Sequence, residues 1–273
     1  MGPSILNPLL WGTTLGDLVN SFLTLSKETA DVLSSNYFQE QFSNRLISVL
    51  LISFFSVLLF IYSGTISNQL NATAKRFERV AGFLSSSVKY LLRYVALYSL
   101  IHLAQSLGVF GIRGDLIAEN FYVWVGYFIL ALWLAERLQM AWHVFEAENL
   151  NDRNIEKFAV LGALILVAQE YGSEVSRLQL IEQQSYEVFT SAITVLAGIM
   201  LWRISASMKL VISGDSSSSS LRLKLLGFLR RIIVGVAVIS PLIAAIGYVN
   251  AGSAIAVPMV KTCLLYTSDA ADD

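Results

Sequence analysis

The run Leu46–Ile66 (LISVLLISFFSVLLFIYSGTI) contains no charged residue. About 20 apolar residues wound as an α-helix rise about 30 Å, the thickness of bilayer hydrocarbon, and satisfy their backbone hydrogen bonds internally. Such a run therefore points to a lipid-crossing helix. The rest of the chain agrees: of its 273 residues 55% are hydrophobic and 14% charged, with a mean hydropathy of +0.61, whereas roughly 25% of a soluble domain is charged. A formal net charge of −1 gives no basic footprint for nucleic acid. One Cys and two His cannot build a zinc finger or a disulfide framework.

Apolar periodicity extends this to an all-α fold, a polytopic transmembrane helix bundle with about six spans and the start of a seventh. The spans fall near 46–66, 88–110, 121–142, 155–171, 188–212 and 226–248, with 251–262 opening the next. Ahead of them, residues 1–45 form an outer-face segment with a helix over Thr14–Leu33, where Leu15, Leu18, Val19, Phe22 and Leu23 recur on helical turns. The final residues, 263–273, interrupt an apolar run that has barely begun. Back-translated, they resemble read-through into a transposase-type sequencing adapter. On that expectation they are an artefact, the natural sequence continues beyond Thr262, and Cys263 has no redox role.

Lys and Arg alternate in density between connections. Lys75, Arg76, Arg79, Lys89 and Arg93 follow the first span; Arg137, Arg153 and Lys157 follow the third; Arg203, Lys209, Arg222, Lys224, Arg230 and Arg231 follow the fifth. The opposite connections hold Arg113 and Arg177 alone. The positive-inside rule then places the N-terminus outside and the basic connections in the cytoplasm. Lys75, Arg76, Arg79, Arg222, Lys224, Arg230 and Arg231 set topology and are placed to meet anionic lipid headgroups.

Polar residues within the spans call for a chemical reading, since an unpaired one is costly in lipid. His102, near Gln105, reads as a structural hydrogen-bonding residue, because a proton relay needs acids in other spans. Glu136 and Arg137 read as interfacial anchors, and His143, Glu146 and Glu148 lack a fourth metal ligand. The triplet Asn71-Ala72-Thr73 falls on the cytoplasmic side, where glycosylation does not occur. Pro241 removes one helix hydrogen bond and marks a possible kink, while Gly235 and Gly247 offer close helix approach. No phosphate-cradling loop, zinc helix or nucleophile elbow is present, so no catalytic residue, cofactor or metal is assigned and an enzyme is disfavoured.

Two segments carry a family resemblance: Leu6-Asn7-Pro8-Leu9-Leu10-Trp11, and Ile246-Gly247-Tyr248-Val249-Asn250-Ala251 running through Pro258 to Thr262. The pattern resembles the N-terminal membrane region of large, multi-span bacterial mechanosensitive channels of the small-conductance (MscS) type. The resemblance implies a homo-oligomeric, heptameric channel of the inner membrane that releases solutes under tension. It also implies a periplasmic helical region before Met1, and a pore helix with a β-rich cytoplasmic domain after Thr262. The chain departs from that full pattern in lacking all three, so no pore residue is assigned. What it holds would be peripheral tension-sensing helices in contact with the lipid bilayer. The alternatives are the membrane sensor region of a signalling protein and a fragment of a secondary transporter, which needs polar midplane sites and broken helices.

Overall fold

A computed structural model describes residues 8–73, 78–144, 152–214 and 221–269. Their regular structure is helical throughout, with no strand among the described residues: α1 (Pro8–Leu33), α2 (Asn36–Thr73), α3 (Glu78–Ser106), α4 (Gly111–Ala118), α5 (Phe121–Val144), α6 (Asp152–Arg177), α7 (Gln183–Gly214), α8 (Leu221–Ala245) and α9 (Val249–Asp269). This is the all-α architecture expected from the periodicity. Among the described residues 5 helical stretches are long and apolar enough to cross a membrane: Asn36–Ala72, Gly111–Arg137, Glu156–Arg177, Gln183–Ala206 and Gly227–Ala245. The span expected at 88–110 is helical only to Ser106 and is not among these five, because Lys89, Arg93, His102 and Gln105 dilute its apolar character. Helix α9 continues through 263–269, and 270–273 lie outside the described residues.

The chain divides into two compact units, one of Asn20–Trp133 and the other of Met1–Val19 with Leu134–Asp273. In the first, α2 packs along α3 with its polarity turned inside out. Ser56, Ser63 and Ser67 are buried, whereas Ile47, Leu50, Leu51, Phe54 and Phe55 are exposed. Small side chains let two helix backbones approach, and their hydroxyls can bond across the gap where no water competes. Ser56 and Ser99 share a hydrogen bond of 2.7 Å, Ser67 and Ser85 another of 2.7 Å, and Arg93 donates Nε–H to Ser63 Oγ at 3.2 Å. The exposed apolar face is what lipid, rather than water, would solvate.

The second unit is built on α7, which packs against α6, α8 and α9 around Leu166, Val188, Met200, Leu201, Ile233 and Val260. Two tight turns close its helix pairs. Leu180 N–H reaches Val175 O at 3.0 Å and Gln179 N–H reaches Ser176 O at 3.0 Å, with Gln179 at φ 56°. After α8, Tyr248 N–H bonds Ile243 O at 3.1 Å and Gly247 N–H bonds Ala244 O at 3.0 Å, with Gly247 at φ 102°. Both are Schellman-type ends that satisfy the last helix carbonyls through one residue of positive φ. In the first half of α1, Asp17 accepts a hydrogen bond of 2.5 Å from Ser185 Oγ at the head of α7.

Candidate functional site

Pro241 lies inside α8 and has no N–H to offer Ala237 O, the carbonyl one turn earlier. Gly198 of α7 sits over that position. A Cβ placed on Gly198 would stand 2.6 Å from Pro241 Cγ and 2.8 Å from Ala237 O, closer than side chains tolerate. On α9, a Cβ on Gly252 would stand 2.7 Å from Ser240 O and 3.0 Å from Ala244 Cβ. Helix α8 is thus clasped at its proline by glycines of two neighbours. The sequence points to Gly235 and Gly247 for close approach, and the structure moves it. A Cβ added to Gly235 would meet nothing within 4 Å, and Gly247 serves instead as the left-handed end of α8.

An ion pair joins α6 to α9: Lys261 Nζ donates to Glu170 Oε1 at 3.2 Å. Sequence reasoning does not find it, because Glu170 reads as an end charge and Lys261 stands in a run that reads as incomplete. The available signal is a lysine well inside an apolar helix. Nearby in sequence, Gln169 Oε1 is buried without a hydrogen-bond partner among the described residues, as are Thr190 Oγ1 and Ser191 Oγ of α7. Leaving such a group unpaired costs about 1–3 kcal/mol, so the unit carries polarity that packing alone does not require.

The residues singled out from sequence separate. His102 is exposed and its ring stacks on Tyr98, with centroids 6.2 Å apart and planes 6° off parallel. Glu136 and Arg137 are half-buried near the end of α5. Arg230 turns inward, donating Nε–H to Ser205 O of α7 at 3.2 Å, while Arg231 is exposed. Lys75 and Arg76 lie outside the described residues, as do the side chains of Arg79, Arg222 and Lys224. The same holds for the side chain of His143 and for Glu146 and Glu148. Among the described residues no group of three or more His, Cys, Asp or Glu could hold a metal ion. No known family, curated protein or solved structure matches the chain.

Proposed function

We propose that the chain supplies peripheral, tension-sensing helices of a mechanosensitive channel subunit of the MscS type, in the bacterial inner membrane with its N-terminus outside. The observation that carries this reading is the seam where Gly198 and Gly252 clasp α8 at Pro241. A helix interrupted by proline and held by side-chain-free surfaces can shift between packed arrangements without stranding long side chains. If one arrangement occupies more membrane area, tension raises its population as a differentially bound ligand would. The exposed apolar face of α2 supplies the lipid contact through which tension acts. The segments Leu6–Trp11 and Ile246–Thr262 support the family, and with it a homo-oligomeric assembly whose pore lies in other segments.

The test uses the whole chain in liposomes with nitroxides at Trp202 of α7 and Val238 of α8, both exposed. Lysophospholipid added to one leaflet should create a second inter-label distance, and an unchanged distribution would sink the reading. In patches of the same liposomes suction should evoke no current; reproducible openings would place a pore within this chain. A second reading, a secondary transporter, draws on the Glu170–Lys261 pair and the interrupted α8. It predicts solute uptake that Glu170→Gln abolishes, which the channel reading does not.

A further inference from the structure

An open groove of about 210 Å³ runs between α2 and α3, lined by Ser56, whose hydroxyl is bonded to Ile52 O and Ser99, and by Val57, Phe60, Ile61, Ala96, Leu97 and Leu100. The pockets that enclose drug-sized ligands hold roughly 300–1,000 Å³. This groove is smaller, apolar along its walls and open, a shape suited to a slender chain rather than a ring system. At one end stands Arg93. Its guanidinium lies 5.5 Å from the ring centroid of Phe60 and 5.6 Å from that of Tyr90, and its Nε–H is held by Ser63 Oγ at 3.2 Å. No carboxylate of the described residues pairs with it. Arginine carries five N–H donors, and those beyond Nε–H have no hydrogen-bond acceptor among the described residues. Lys89 Nζ, one turn away, lies 4.8 Å from the Tyr90 centroid and adds a second cation.

Depth selects the acceptor. Ser63 lies three residues before Ile66, after which the helix turns polar with Ser67, Asn68 and Gln69, so it stands about 4–5 Å inside that polar margin. Arg93 therefore stands just inside the hydrocarbon edge, where a long cationic side chain reaches outward to the lipid phosphates, and the groove leads from it toward the membrane interior. We propose that this is a binding site for an anionic phospholipid of the leaflet facing the α2–α3 turn. Its phosphate is held on the Arg93 fork with Lys89 beside it, and one acyl chain lies in the groove. A guanidinium fork matches a phosphodiester, and a net negative headgroup adds attraction that a zwitterionic one lacks. The inference rests only on α2 and α3 lying in a bilayer, and not on the channel reading.

The test is native mass spectrometry of the whole chain released from nanodiscs of equimolar phosphatidylglycerol and phosphatidylcholine. Wild type should retain phosphatidylglycerol in preference to phosphatidylcholine. Arg93→Gln should lower that retention about fivefold or more, and Arg93→Lys should lower it less. Val57→Trp, at a residue 49% exposed, should block the groove with the fold intact by circular dichroism and reduce retention with Arg93 in place. Inorganic phosphate should not displace the lipid; displacement would assign the site to a free anion and overturn the proposal. Equal retention of the two lipids, or of phosphatidylglycerol by wild type and Arg93→Gln, would also overturn it. Loss in Arg93→Gln without loss in Val57→Trp would overturn the groove assignment.

Discussion

Gly198 and Gly235 are alike in composition and opposite in consequence. A side chain at 198 must displace Pro241 or the Ala237 carbonyl, whereas one at 235 enters open space. Gly198→Val should therefore destabilise the folded chain by about 1–3 kcal/mol through overpacking. Gly235→Ala should be neutral or stabilising by up to about 1 kcal/mol, since it removes a weak helix former. Thermal unfolding of both variants in detergent checks the contrast, and equal midpoints would remove the clasp. At the Glu170–Lys261 pair, whose side chains are 40% and 39% exposed, Glu170→Gln and Lys261→Met should show a coupling of up to about 1 kcal/mol. A double-mutant cycle on unfolding measures that coupling, and simple additivity would show the pair to be incidental. Neither feature is legible along the chain. Which glycine meets a neighbour depends on what stands opposite it, and Glu170 and Lys261 are 91 residues apart.

Whole helices are far more legible. A charge-free run has one way to satisfy its backbone in lipid, so Leu46–Ile66 announces α2, although the helix extends over Asn36–Thr73. The start of α5 falls at residue 121 in sequence and structure alike, because Asn120 N–H closes on Ile117 O and a new helix begins. Facing is not legible. In α1 the recurring Leu15, Val19, Phe22 and Leu23 are exposed, while Thr14 and Ser21 are buried. An amphipathic helix with its apolar stripe outward lies flat in a headgroup region. Nitroxides at Leu15, Val19 and Phe22 should then collide with oxygen more than with a water-soluble nickel chelate, and one at Lys27 should do the reverse. Equal accessibility at all four positions would take α1 off the membrane surface. Within the other unit the helix is tied by Arg113 to Glu28 at 3.4 Å, a half-exposed pair whose worth is about 0–1 kcal/mol.

At the scale of the molecule, the alternating density of Lys and Arg is the feature on which the proposed sidedness rests. In a Cys263→Ser background, single cysteines at Gly108 and Gln179 should react with an impermeant maleimide from outside intact cells. Cysteines at Lys75 and Ser216 should react only after permeabilisation. The reverse pattern would invert the topology, and labelling of all four from one side would end the multi-span reading. In the unit built on α7, the two turns at Gln179 and Gly247 each use a residue of positive φ to stitch a helix pair within a few residues. Each pair is therefore pinned at one end like the arms of a pair of tongs. Whatever lateral force the surroundings exert, the helices can part appreciably only at their far tips, so leverage grows with distance from the stitched rim.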